Sequence, residues 1–435
     1  MQQERITERL AQPVAAPQLW PEQPRDQPRP EDRFPLALFL AWIIPGLIGT
    51  IVLAATFIYL EQRASRQIVF LTPGGELGAV RADGTGVRTL NFANLEGARF
   101  AEPQWAPDGS RFAAVVSHQG KAELLLAQSQ TITPTLLAPI ELDNLFLPGQ
   151  AWSYDSAYLA LVGLDSTRGS LLQLADVQQG RVVTVALTLD RQASLDWHPQ
   201  SDELLVTALT DNTTPTLRIV STDSQSRPFT PQDNLVAHSA GAWSPDGKQI
   251  AYVAGASKSD LTGSIWVANR DGSNAHEIAK GDQSFAPIWA PRGDFLFFTR
   301  LVTETRDYEL YRIKPDGQDQ PAFIGKGLPP LDSPAINRRL LMDWSPDGGK
   351  LFFQSFDRQE QKVTLYGALY DGSNAQPLFS QPSSGSDPPL VSWAPTSRAL
   401  LIASQSQGMF LRWIDQDRSA TQLPRAFFPS WQPWK

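Results

Sequence analysis

The chain of 435 residues contains no cysteine. That excludes a disulfide framework, a thiolate zinc site and a thiol nucleophile, and it leaves the redox compartment open. Histidine is scarce. The four, His118, His198, His238 and His276, are far apart, so a metal site built from them would need separate loops to converge. The Gly-x-Ser-x-Gly elbow, the His-Glu-x-x-His helix and the phosphate-binding glycine loop are also missing. Neither charge sign forms a long block: 37 basic and 45 acidic residues give a net charge of −8 without a basic stripe. A sequence-independent nucleic-acid binder needs such a stripe, so no nucleic-acid partner is expected. No cofactor or metal is expected either.

What is present falls into three zones. Residues 1–33 are polar, with six prolines between Pro13 and Pro30. Such a tail cannot bury enough apolar surface to offset its ordering entropy and reads as disordered. Residues 34–60, FPLALFLAWIIPGLIGTIVLAATFIYL, run for 27 residues without a charge. A membrane span needs about 20 apolar residues, so this segment reads as a transmembrane helix, with a bend at Pro45. A cleaved signal peptide would have a shorter apolar core behind a basic start. Arg25, Arg29 and Arg33 precede the span and Arg63 and Arg66 follow it. That bias places the N-terminus in the cytoplasm and the rest of the chain outside it. Residues 61–66 form a short linker, and the third zone, 67–435, is repetitive.

Tryptophan measures the repeat. QWAPDG, AWSYDS, DWHPQS, AWSPDG, IWAPRG, DWSPDG and SWAPTS contain Trp105, Trp152, Trp197, Trp243, Trp289, Trp344 and Trp393, at intervals of 47, 45, 46, 46, 55 and 49 residues. After each phrase comes a β-rich run such as QIAYVAG (249–255). A second run follows, such as SIWVANRDGSN (264–274), whose Asp-Gly signals a turn between strands. A third run, such as AHEIAKG (275–281), closes the unit. With the short strand ending in Trp, each unit has four strands, and four antiparallel strands repeated radially make a β-propeller blade. Residues 67–92 supply three strands without a Trp phrase, and the last residues supply Trp431 without a blade behind it. Their pairing would close a ring of eight blades, with seven as the runner-up.

The WSPDG phrase followed by a strand resembles the TolB-type propeller repeat, a WD-like family, over nearly everything after the span. The resemblance implies an all-β propeller and a domain that docks other proteins. The same fold hosts transport accessories, lyases and protease-gating domains, so it does not fix function. In the related serine peptidases a propeller gates a hydrolase domain; this chain ends four residues after Trp431, and no hydrolase domain is expected.

The repeated residues read first as architecture. The tryptophans suit a wedge between neighbouring blades. Pro, Asp and Gly set the turn, so Asp108, Asp246 and Asp347 are turn residues. The Asp-Gly groups at 83, 271, 316 and 371 invite a calcium reading, but NRDGSN (269–274) lacks the distal Glu. His198 takes the Ser position of its phrase.

Variable connections at 138–150, 210–216, 256–263, 301–308, 325–341, 357–362 and 380–389 lie on the face opposite the turns. Scaffolded loops are where binding is usually located. The longest, GKGLPPLDSPAINRR (325–339), offers Pro329 and Pro330 for stiffness and Arg338 and Arg339 for charge; these are the candidate partner-binding residues. The linker reaches about 20 Å at most, so the turn face should lie toward the membrane. The expected role is a membrane-anchored, non-catalytic binding module for a protein or an envelope polymer. Two alternatives stay open. One is an accessory subunit of a membrane complex, hinted at by Ala37/Ala41 and Gly46/Thr50 in the span. The other is a propeller lyase or glycosidase with carboxylates gathered at the central axis.

Overall fold

The structure, a computed structural model, describes residues 67–432 except 82–83, 93–94, 119–120, 129–133, 138–143, 149–150, 166–168, 190–193, 211–213, 234, 236, 256–262, 328–341, 384–387, 405–406 and 415–419. The tail 1–33, the span expected at 34–60 and the linker lie outside the described residues. So do Pro329, Pro330, Arg338 and Arg339. Among the described residues there is no helix, hence none long and apolar enough to cross a membrane.

One repeat shows why the sequence folds this way. In the Trp243 unit, Ala237–Trp243 is the inner strand, followed by Gln249–Gly255 and Gly263–Asn269. The second strand, QIAYVAG, is buried at all but its ends. Near-continuous burial marks a strand covered on both faces, here by the neighbouring sheets. The corner between the first two strands is closed locally. Gly247 N–H donates to the Ser244 carbonyl at 2.8 Å, and Ser244 Oγ donates to Asp246 Oδ1 at 2.6 Å. Asp246 Oδ1 also accepts from Lys248 N–H at 3.1 Å, while Ser244 Oγ accepts from Gln249 N–H at 2.9 Å. Gly247 takes φ 71°, where a side chain is strained. Ser345 to Lys350 repeats this network. Ser156 and Ser397 adopt the same left-handed backbone without being glycine, at φ 64° and 59°. Each hydroxyl accepts a backbone N–H from the preceding unit's corner: Asp108 N–H at 3.0 Å and Asp347 N–H at 3.1 Å.

The sheets repeat antiparallel meanders in chain order. Arg99–Trp105, Arg111–His118, Lys121–Gln128 and Pro134–Leu137 form one four-stranded sheet. Met342–Trp344 begins another and Leu390–Trp393 a third. Two larger sheets each join two meanders. One is joined by the single pair Leu189↔Ala208. The other is joined by His276–Trp289, which is the outer strand of the Trp243 unit and the inner strand of the Trp289 unit. The sequence reading ended that strand at Gly281. It continues past Gly281 and Pro287 because its pairing passes at Ser284 from Gly263–Asn269 to Leu296–Val302, with register shifts on either side that absorb the irregularity. The last described strand, Phe427–Trp431, pairs with the first, Gln67–Leu71, through Ile68↔Trp431 and Val69↔Ser430. Gln432 N–H donates to the Gln67 carbonyl at 3.0 Å. Radially repeated meanders closed by the first and last described strands make a β-propeller.

The tryptophans lie between successive sheets. Trp243 packs with Leu205, Leu217 and Ile219 of the preceding unit, and Trp152 with Ala113, Val115 and Leu124 of its own predecessor. A hydrogen-bond ladder accompanies the wedge. Four indole N–H groups donate to the carbonyl of the residue before the previous tryptophan: Trp152 to Gln104 (3.2 Å), Trp197 to Ala151 (2.9 Å), Trp289 to Ala242 (3.1 Å) and Trp393 to Asp343 (3.0 Å). Those of Trp105, Trp243 and Trp431 are buried without a partner among the described residues. Trp344, which follows the 55-residue interval, donates to the Tyr370 carbonyl of its own unit instead.

Candidate functional site: the loop face beside the long connection

The ring has two faces. The Trp corners and the turns between third and outer strands lie on one; the hairpins between second and third strands and the entries to the inner strands lie on the other. On the turn face, polar groups bond mainly to one another. Asp271 Oδ1 accepts from the N–H and hydroxyl of Ser273, and Asp371 does the same with Ser373. Those bonds hold the turns in shape. Among the described residues no group of three His, Asp or Glu side chains could hold a metal ion.

His198 explains how a corner tolerates losing its serine. Its Nδ1 accepts from Gln200 N–H at 3.1 Å, and its Nε2 therefore carries the proton that reaches the Gly247 carbonyl, 3.2 Å away in the next unit. The ring meets Trp243 edge-on at 4.7 Å. Burial lowers its pKa, outweighing the bond to Gly247.

The first and last described residues lie on the turn face. Gln67 begins the second strand of the closing sheet, and Gln432 Nε2 donates to the carbonyl of Gly109, a corner glycine, at 2.9 Å. The long connection leaves from the opposite face. Its base is clamped: Gly327 N–H donates to the Tyr308 carbonyl at 2.6 Å, and Phe356 N–H donates to the Gly327 carbonyl at 3.2 Å. Lys326 pairs with Asp357 at 3.1 Å, and the carboxylate beside it raises the lysine pKa. Asp357 Oδ1 also accepts from the N–H groups of Gln359 and Glu360, which with Lys326 hold its own pKa down. Arg358 Nη2 donates to the Arg306 carbonyl at 2.8 Å, tying the hairpins of the Trp289 and Trp344 units together. Arg306 and Gln361 hold left-handed backbone at the two hairpin tips. The result is a rim of mixed charge on fixed backbone at the described base of the connection; Pro329, Pro330, Arg338 and Arg339 themselves lie outside the described residues.

A second group on this face escaped the sequence reading. Asp233, with a side chain 1% exposed, accepts from His238 Nε2 and the Tyr252 hydroxyl, both at 2.9 Å, and from Leu235 N–H. Burial would raise its pKa, but the bonds from His238 and Leu235 hold it below the usual carboxylate range; burial and the same carboxylate push Tyr252 up. Both carboxylate oxygens are engaged, so the cluster fixes the entry to the inner strand rather than offering a free base. Nothing in TPQDNLVAH signalled it, because its partner Tyr252 comes from the next strand.

No family model matches the sequence. The chain is similar to coronin-7 of Bos taurus, 28% identical over 232 residues that make up 52% of this chain and 24% of that protein. The chain spans about a quarter of the length of the curated relatives it matches. Among solved structures it is similar to a eukaryotic initiation factor, with a TM-score of 0.52, 12% identity and coverage of 85% of this chain and 98% of that one. A further similarity, to TolB from Acinetobacter baumannii, has a TM-score of 0.41 at 12% identity over 86% of this chain and 84% of that one. At such identity the likeness to the initiation factor is one of fold.

Proposed function

We propose that this protein is a membrane-anchored binding module whose β-propeller has eight blades and faces its partner with the loop face. The blade number rests on dividing each larger sheet into its two meanders. The anchor is residues 34–60, with the N-terminus in the cytoplasm and the propeller outside it. The partner is a protein or an envelope polymer, met at the rim around the 325–341 connection. The observation that carries this reading is the placement of Gln67 and Gln432 beside the Gly109 corner. A short linker from a span would then hold the turn face near the bilayer and leave the loop face free.

The test is capture from gently solubilised membranes with the full chain as bait. A partner should co-purify with the wild type and be lost from a chain carrying Arg338→Glu and Arg339→Glu, but kept by the turn-face variant Arg292→Glu. Loss in the turn-face variant with retention in the loop-face pair would overturn the assignment. Recovery of a fixed set of other membrane subunits, unaffected by either change, would favour the accessory-subunit reading.

A further inference from the structure

Successive units meet along equivalent seams, where the turn before one outer strand rests on the outer strand of the preceding unit. At the Trp197/Trp243 seam the contact is tight. A Cβ on Gly272 would overlap the Thr230 carbonyl oxygen, and Gln232 N–H donates to the Gly272 carbonyl at 3.0 Å. Gly317 and Gly372 approach Glu277 and Ile324 of their predecessors in the same way. At the Trp105/Trp152 seam the turn reads Val177-Gln-Gln-Gly180 with no Asp-Gly, and the nearest neighbour of a Cβ on Gly180 is Leu137 at 3.7 Å. This seam stays open as a groove of about 300 Å³.

The residues facing each other differ as well. Glu203 opens the second strand of the Trp197 unit and pairs with Arg270 of the next unit at 2.6 Å. Arg111 holds the position of Glu203, six residues after its tryptophan. Val177 holds that of Arg270: both bond through N–H at 2.9 Å to the residue before the second strand, Ala157 and Lys248 respectively. The Arg111 guanidinium thus faces a valine. Its contact among the described residues is Ser110 Oγ at 3.4 Å. Among the described residues no Asp or Glu lines the groove; Gln128, Thr135 and Gln178 supply neutral polar groups beside the apolar Leu137 and Val177.

We infer that this groove binds a carboxylate carried on a short apolar body, with the guanidinium of Arg111 taking the charge in the way Arg270 takes that of Glu203. An arginine fork matches a carboxylate with two parallel hydrogen bonds, and the apolar wall accepts the remainder. The carboxylate can belong to a free small acid or to the C-terminus of a peptide. Titration calorimetry of the full chain with butanoate, butanamide, N-acetyl-leucine and N-acetyl-leucinamide separates these sources. At least one acid should bind with Kd below about 1 mM, and its amide at least about tenfold more weakly. Binding by N-acetyl-leucine alone assigns the groove to peptide termini; binding by butanoate alone or by both acids assigns it to small acids. Arg111→Gln and Val177→Glu should each weaken the acid at least about tenfold, the second by supplying an internal carboxylate. A thermal melt of each variant shows that it is folded. The inference falls if neither acid binds, if the amides bind equally well, or if folded Arg111→Gln binds unchanged.

Discussion

Two seams of the same ring show how one backbone plan yields a closed joint in one place and an open one in another. At the Trp197/Trp243 seam Gly272 lies against backbone, Glu203 meets Arg270, and His198 reaches the Gly247 carbonyl. At the Trp105/Trp152 seam Gly180 stands clear, Arg111 faces Val177, and the corner link is a hydroxyl, Ser156. The tryptophan wedge is common to both. The difference lies in side chains at the rim, where a seam can lose contacts without losing its core.

The sharpest contrast is between glycines. Gly272→Ala combines φ 84° with a collision against a carbonyl that cannot swing away, and should lower stability by about 3 kcal/mol or more. Gly180→Ala, at φ 64° with open space, should cost about 1–2 kcal/mol. Denaturant unfolding of both variants measures the gap, and equal losses would show that the seams are alike.

Replacing Glu203 tests the ion pair. Its side chain is 19% exposed and that of Arg270 43%, so solvent screens the pair and Glu203→Gln should cost about 1 kcal/mol or less. Val177→Glu should gain a few tenths of a kcal/mol by building the same pair at the open seam. Melting temperatures should move in opposite directions.

The smallest expected effect is a pH dependence confined to the closed seam. His198 has its pKa lowered from 6.5 by burial, so below about pH 6.5 the unfolded chain binds a proton that the folded chain resists. Stability from this group is present above that value and is lost as pH falls toward the folded pKa. Protonating Nδ1 also removes the acceptor for Gln200 N–H. His198→Gln should flatten the fall in melting temperature between about pH 7.5 and about pH 5.5. Ser156 does not titrate there and its replacement should leave the slope unchanged.

Much of this molecule was legible before folding. The phrase Ser-Pro-Asp-Gly closes its corner through bonds spanning two to five residues, so the corners and their strands could be placed by reading along the chain. The pairing of residues 67–71 with Trp431 was also legible, because two incomplete units are complementary. The Asp233 cluster and the end of the His276 strand were not. The first needs a neighbouring strand to bring Tyr252 to the carboxylate, and the second depends on a segment with Gly281 and Pro287 being handed, through register shifts, from one partner strand to the next.

The sequence alone determined the repeat, the turn chemistry and the periodic tryptophans, since each depends on residues within one unit. Only the tertiary structure decided which seams close. Arg270 and Glu203 are 67 residues apart in sequence, and their meeting, like the encounter of Arg111 with Val177, exists only once two independently formed sheets are pressed together by the ring.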